Sequence, residues 1–253
     1  MLNKVDFYYF SPTGGTKKAG EILAEAMAEK VTLFDLGSRE AFKESAKGDV
    51  AVVAVPVFGG RVPAVVSEKL KALKENGKKA VTLAVYGNRA YEDALLELND
   101  VMKEAGYEIA ASAALVAQHS MAPEVGAGRP DEKDAEEIRA FAGKILAKLE
   151  KGDAEEIKVP GNHPYKPMSS MPVTPMSLPS CNTCGKCAAV CPTEAIQIEN
   201  GEVTTEAEKC CLCMACVHAC PEGARILPPP LKEKMEQMLG ALKGVRRENE
   251  TFI

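Results

Sequence analysis

The first 180 residues of this chain contain no cysteine, and the whole chain contains no tryptophan. A disulfide framework spanning the protein is therefore excluded. All nine cysteines fall between Cys181 and Cys220, and such a cluster points to metal rather than to covalent staples. No segment approaches the roughly 20 apolar residues that a membrane-spanning helix needs. The N-terminal stretch MLNKVDFYYF lacks the charged leader, apolar run and small-residue cleavage site of a secretion signal. A basic excess is missing too: 31 Lys and Arg stand against 36 Asp and Glu, which argues against a nucleic-acid surface. Neither a Gly-x-Gly-x-x-Gly fingerprint nor a Gly-Lys-Ser/Thr phosphate loop is present. No Ser-His-Asp or paired-carboxylate constellation supports hydrolysis. These absences lead to the expectation of a cytoplasmic protein that binds neither nucleic acid nor membrane.

What is present falls into four segments. Residues 1–150 alternate β-branched runs with amphipathic stretches. VDFYYF (5–10), VTLFDL (31–36), DVAVVAVPV (49–57), KAVTLAVYG (79–87) and EIAASAALVA (108–117) read as strands. The third and fourth are apolar nearly throughout, as strands buried on both faces of a parallel sheet should be. Helical stripes lie between them, including Ala19, Leu23 and Met27, then Leu95, Leu98 and Met102, then Ile138, Phe141 and Ile145. The alternation predicts an α/β fold, a doubly wound five-stranded parallel sheet of order 2-1-3-4-5. Its ligand crevice would open beyond the carboxyl ends of the strands. Residues 151–179 carry six prolines between Pro160 and Pro179 and read as an extended connector. Val159, Tyr165, Met168, Met171, Val173 and Met176 suggest that it lies along a surface. Residues 180–230 form a small α+β cysteine domain. Residues 231–253 place Leu231, Met235, Met238, Leu239, Leu242 and Val245 at helical spacing, which predicts a docking helix.

The cysteine domain repeats itself. Cys181-x-x-Cys184-x-x-Cys187-x-x-x-Cys191-Pro192 recurs 29 residues later as Cys210-x-x-Cys213-x-x-Cys216-x-x-x-Cys220-Pro221. This is the bacterial ferredoxin run for two [4Fe–4S] clusters, in which the fourth cysteine of each run ligates the other cluster. One cluster is thus expected on Cys181, Cys184, Cys187 and Cys220, the other on Cys210, Cys213, Cys216 and Cys191. Ile196, Ile198, Val203, Ile226 and Leu227 are expected to sheathe them. Paired zinc sites are the bland alternative. Cys211 stands outside the pattern and reads as a free thiol beside the cluster.

At the other end, YYFSPTGGTKKAG (8–20) runs from a strand through hydroxyls and glycines into a helix. Glycines let the backbone approach a phosphate, and a helix N-terminus supplies unpaired N–H groups and a positive dipole end. A plain N-capping turn would use similar residues. The loop resembles the FMN-phosphate loop of flavodoxins, with Ser11, Thr13, Gly14, Gly15 and Thr16 matching position by position. That resemblance implies an isoalloxazine ring held by the loops after the third and fourth strands. Pro56, Val57, Phe58, Gly59, Gly60 and Arg61 form the first of these loops. Tyr86, Gly87, Asn88, Arg89, Tyr91 and Asp93 form the second. Phe58, Tyr86 and Tyr91 are candidates to stack on the ring, with core packing as the alternative for each. Gly59, Gly60, Gly87 and Asn88 would offer backbone contacts, and Arg61 or Arg89 a positive charge. Many flavodoxins place a tryptophan over the ring, and this chain has none.

The whole plan resembles proteins that fuse a flavodoxin-like domain to a two-cluster ferredoxin. The stretch AQHSMAPEVGAGRPDEKD (117–134) is similar to a segment of that family. Within it Asp131 would cap the next helix, and His119 reads as a structural histidine or as a proton donor to reduced flavin. The combination implies an electron carrier linking redox proteins through two clusters and FMN. The alternatives are an FMN-dependent reductase with a small-molecule acceptor and a non-redox cluster-delivery scaffold. With FMN adding roughly -1.5 to -2 and each cluster about -2, the holoprotein would be strongly acidic. Basic docking surfaces are therefore expected on its partners, and a homodimer is a further association to test.

Overall fold

The computed structural model describes residues 1–40, 46–153, 155–168 and 172–253. Strand β1 (Leu2–Tyr9) leads to helix α1 (Gly15–Met27), and β2 (Ala28–Asp35) follows directly. Then come β3 (Val50–Pro56), α2 (Ala64–Lys71), β4 (Lys78–Tyr86), α3 (Ala94–Glu104), β5 (Tyr107–Val116) and α4 (Glu132–Lys151). The five strands pair in parallel in the order 2-1-3-4-5. Every residue of β3 except Pro56 is buried, because helices cover both faces of the sheet. Successive residues therefore serve different cores. Phe7 and Val52 pack with α1 and α4 through Leu23, Met27, Phe141 and Ile145. Tyr8 and Val53 pack with α2 and α3 through Val66, Leu70, Leu98 and Met102. Helix α1 lies so close to β1 that a Cβ on Gly20 would fall 2.2 Å from Phe7 Cζ.

The sheet has a sixth strand that the helical pattern of the tail concealed. After the connector come β6 (Met176–Ser177), α5 (Lys186–Ala189), β7 (Ile196–Glu199), β8 (Glu202–Thr205), α6 (Ala215–His218), β9 (Arg225–Ile226) and α7 (Pro229–Leu239). The chain then returns to the large sheet as β10 (Glu250–Phe252), antiparallel to β5. The expected helix over 231–253 thus stops at Leu239. Gly240 follows, and Gly244 adopts φ +75°, a conformation glycine tolerates and a helix does not. Leu231, Met235 and Leu239 are buried as expected, whereas Met238 and Val245 are exposed. Strands β6 and β9 form one short ribbon and β7 and β8 another. Among the described residues no helix is long and apolar enough to cross a membrane.

The connector is tied to α3 and the loop before it. The Asn162 N–H and side-chain amide donate to Asp93 Oδ1, and the Lys166 N–H donates to Asp93 Oδ2. His163 Nε2 and the Tyr165 hydroxyl meet Asp100 Oδ2. Met171, expected to help seat this segment, lies outside the described residues.

Asp131 caps α4 in a reciprocal capping box with Asp134. Asp134 is fully buried and pairs with Arg129, itself nearly buried. Burial works to raise the Asp134 pKa, but hydrogen bonds from Arg129 and the Asp131 N–H outweigh it and hold the carboxyl below its usual range. Removing it strands a buried cation, so Asp134→Ala should cost about 3–5 kcal/mol in urea unfolding. In the native protein this carboxylate's contribution is fully present above the unfolded Asp pKa of about 3.9 and fades as pH falls through the lower folded value. Unchanged urea midpoints in the variant at pH 7 would contradict this assignment.

Candidate redox site

The two cysteine runs fold alike. Thr183 and Leu212 both take positive φ, as do Gly185 and Met214, and Glu194 and Gly223. Each pair is 29 residues apart. Such left-handed positions curl successive N–H groups inward into the kind of nest that binds sulfide and other anions. The fourth cysteine of each run also accepts a backbone N–H. Ala195 donates to Cys191 Sγ at 3.3 Å, and Ala224 to Cys220 Sγ at 3.2 Å.

The repeat builds two cavities. One is lined by Cys181, Cys184, Cys187 and Cys220. The other is lined by Cys191, Cys210, Cys213 and Cys216, with Cys211 beside them. The structure thus brings together both sets of four that the spacing singles out, including the exchange of fourth cysteines. All nine thiols are free. Burial pushes the Cys187 and Cys210 thiols up. Cys211 hydrogen-bonds Cys213, which lowers its own pKa to about 7. Ile196 and Leu227 are buried, while Ile198 is exposed on its ribbon.

The second cavity adjoins the large sheet. Cys213 and Ala215 join the buried cluster that contains Phe10, Phe34, Leu36 and Val66, with Phe58 and Cys211 packed against it. Arg39 reaches across as well, donating to Glu194 Oε1 and the Ala189 carbonyl. The cysteine domain therefore sits against the loops after β1, β2 and β3.

Those loops form the carboxyl edge of the sheet. Gly14, at φ +89°, precedes α1 and brings no capping side chain of its own. Ser11 Oγ accepts the Lys17 N–H at 2.9 Å, and Gly14 has open space where a Cβ would be. Ser11 and Thr13 are half-buried and Thr16 is buried. Gly15 faces Ala117 of the loop after β5, 3.1 Å from where its own Cβ would stand. Phe58 and Arg61 close a tight turn over Gly59 and Gly60, both with positive φ. Pro56, Val57 and Phe58 remain half-buried and Gly59 is exposed.

Several candidates have other partners. Arg61 forks onto Glu97 and donates to the Lys166 carbonyl. Asp93 holds the connector, and the Lys166 N–H is the main cause of its lowered pKa. Tyr86 and Tyr91 are core residues, their ring centroids 5.5 Å apart, with Val57 and Phe252 packed in the same cluster. The Tyr91 hydroxyl donates to Glu250. His119 Nδ1 accepts the N–H groups of Met121 and Ala122. Burial, aided by the charge of Arg89, lowers its pKa. Its ring lies 2.5 Å from where a Gly87 Cβ would stand, which accounts for the glycine. Arg89 keeps a partly exposed side chain paired with Glu92.

Asn88 reveals a contact that the motif reading did not contain. Fully buried at φ 61°, it donates from Nδ2 to the Val245 carbonyl at 2.7 Å and accepts the Arg247 N–H at Oδ1. It clamps the tail onto the loop after β4. Asn88→Ala should destabilise the protein by about 1–3 kcal/mol and speed hydrogen exchange at the Arg247 amide. Wild-type protection there would show that the clamp is idle.

A family model described as a 4Fe-4S dicluster domain matches residues 180–225. The Escherichia coli (strain K12) protein YsaA, provisionally named for electron transport, is 43% identical over 47 residues. The match covers 18% of this chain and 30% of that protein, so it spans less than a third of the curated relative's length. Flavodoxin from Streptococcus pneumonia TIGR4 aligns at 22% identity over 57% of this chain and 99% of its own, with a TM-score of 0.43. Rubredoxin oxygen:oxidoreductase from Desulfovibrio gigas aligns at 19% identity over 60% of this chain and 37% of its own, with a TM-score of 0.45. The chain thus has a flavodoxin-like α/β fold with strands in the order 2-1-3-4-5, followed by a segment, residues 180–225, that matches the 4Fe-4S dicluster model.

Proposed function

We propose that this protein is a cytoplasmic electron-transfer iron–sulfur flavoprotein, in which two [4Fe–4S] clusters and FMN connect redox partners at low potential. One observation carries the reading: eight thiols stand in two groups of four around two cavities, with Cys191 and Cys220 exchanged between the runs. A lone zinc ion wants its donors about 2.3 Å from one point. Thiols ringing a wider space, with nests of N–H groups beneath them, suit a cube of iron and sulfide.

The phosphate end of an FMN site fits as well. The α1 N-terminus starts at a glycine with no capping side chain of its own and is open at Gly14, with Ser11 Oγ on the Lys17 N–H. Ser11, Thr13, Gly14, Gly15 and Thr16 would hold the phosphate there. Phe58 and Gly59 would then be the loop residues best placed to meet the ring, because Arg61, Asp93 and the two tyrosines are engaged elsewhere, Arg89 pairs with Glu92 and His119 packs on Gly87. Bound flavin would supply two-electron chemistry beside the one-electron chemistry of the clusters.

Burial orders the two cysteine cavities. Cys184 of the first is exposed, whereas Cys191, Cys213 and Cys216 of the second are buried, and the second abuts Phe58. A partner protein would thus meet the first cavity, and the flavin loops the second. Exposed Glu222 beside Cys220, with the net charge of -5 before cofactors, favours basic partner surfaces.

Anaerobic purification should yield a brown protein carrying about eight irons and one FMN, with both centres titrating by absorbance and EPR. A colourless, zinc-loaded and flavin-free product would overturn the reading. Thr13→Ala combined with Thr16→Ala should weaken FMN binding about tenfold or more, through lost hydrogen bonds to a charged group, and leave iron unchanged. Cys184→Ser should damage one cluster and leave flavin bound. Reduction by a basic partner should slow as ionic strength rises, and a rate flat across salt would count against electrostatic docking.

A further inference from the structure

Arg225 breaks the cysteine repeat. The first run continues Cys191-Pro-Thr-Glu-Ala-Ile196, and the second Cys220-Pro-Glu-Gly-Ala-Arg225. A guanidinium thus stands where the first copy has an isoleucine. It is 2% exposed. Nη1 donates to Ser177 Oγ at 3.0 Å and Nη2 to Thr205 Oγ1 at 2.7 Å, both neutral hydroxyls. Nε has no hydrogen-bond partner, and among the described residues no carboxylate forms an ion pair with Arg225. A buried charge without a counter-charge is costly enough that folded proteins almost always pair it.

Its surroundings identify the missing anion. Arg225 lines the first cysteine cavity, and Thr205, which holds its Nη2, lines the second. The guanidinium thus reaches the first set of ligands directly and the lining of the second through Thr205.

We propose that Arg225 is the shared buried counter-cation of the two metal centres, holding their reduction potentials above those of the same thiolate sets without it. The proposal rests on the iron–sulfur reading given above. Each centre gains one negative charge on reduction, and net charge together with hydrogen bonds to sulfur is what sets cluster potential. A permanently charged neighbour stabilises the reduced form more than the oxidised form. Arg225 is a positioning residue here, since it ligates no iron.

The test uses full-length protein purified anaerobically as wild type, Arg225→Gln and Arg225→Lys. Iron content of the wild type reports on the cluster reading by itself, and EPR-monitored midpoint potentials of the variants report on Arg225. The expected result is that Arg225→Gln shifts the reduction equilibrium of at least one cluster at least tenfold toward the oxidised form, about 59 mV for a one-electron couple. Arg225→Lys should retain most of the wild-type value. Loss of iron from the Gln variant alone, with the Lys variant loaded, would also support the charge. Wild-type midpoints in an iron-replete Gln variant would overturn the proposal, as would equal loss of iron from both variants.

Discussion

One buried carboxylate ties the stretch around the start of α4 to a tail more than a hundred residues later in the chain. Asp134, in the first turn of α4, accepts from Arg129 in the loop after β5, from the Asp131 N–H, and from Arg246 and Asn249 in the tail. Burying that charge is tolerable only because so many donors meet it. The consequences reach the carboxyl edge of the sheet. The loop after β5 is held against α1, where Lys18 Nζ donates to the Pro130 carbonyl. The tail is held where Asn249 Oδ1 accepts the Val116 N–H and β10 can pair with β5. From there it reaches Asn88. Both the phosphate side and the ring side of the proposed flavin crevice thus lean on the same anion.

The cysteine domain is held between two tethers. The connector enters from α3, fastened at Asp93 and Asp100. The exit runs through α7, whose Leu231 and Met235 pack with Met214 and Leu227, and whose Leu239 packs with Ala122 and Val125. A segment of some fifty residues buries only a small core of its own. Its apolar shell here is completed by the neighbouring sheet, since Cys213 and Ala215 share a cluster with Phe10 and Leu36. The same packing that stabilises the domain also sets the second cavity beside the Phe58 turn. One contact thus both stabilises the domain and, on the proposed reading, sets the second cavity beside the flavin loops.

Much of this arrangement is legible in the sequence because it depends on local or periodic signals. The apolar runs of β3 and β4, the hydroxyl-glycine corner before α1 and the cysteine repeat each specify their structure within a dozen residues. Asp131 as a cap belongs to the same class. What the sequence hides is pairing between distant segments. Nothing near Glu250–Phe252 marks a strand, because an antiparallel edge strand of three residues takes its identity from β5 and from Asn249. The helical stripe of the tail continues past Gly240 on paper, and only the two glycines hint that it ends. Asn88, Asp93 and Arg61 read naturally as flavin-loop residues, yet their polar groups are taken up by the tail, the connector and Glu97. Tyr86 and Tyr91 likewise read as stacking rings until β10 covers them. A motif shows which loop a residue occupies, and the direction of its side chain depends on partners from elsewhere. One hidden feature did have a sequence signal. Aligning the two cysteine runs shows Arg225 opposite Ile196.

That mismatch bears on how two nearly identical sites come to do different work. The backbone repeat, down to paired left-handed residues at 183 and 212 and at 185 and 214, gives both cavities the same thiols and the same nests. Their surroundings differ in burial, and burial alone disfavours any added negative charge. The inner site, whose thiols are mostly out of water, would then resist reduction more than the outer one, and inward transfer would run uphill. The Arg225 cation opposes that penalty. It lines the outer cavity itself and reaches the inner one through Thr205. A repeat that had kept isoleucine at position 225 would have preserved its symmetry and left the inner site isolated by its own burial. On this reading the one buried charge that departs from the repeat makes the sequence of two sites passable in the direction of the flavin loops.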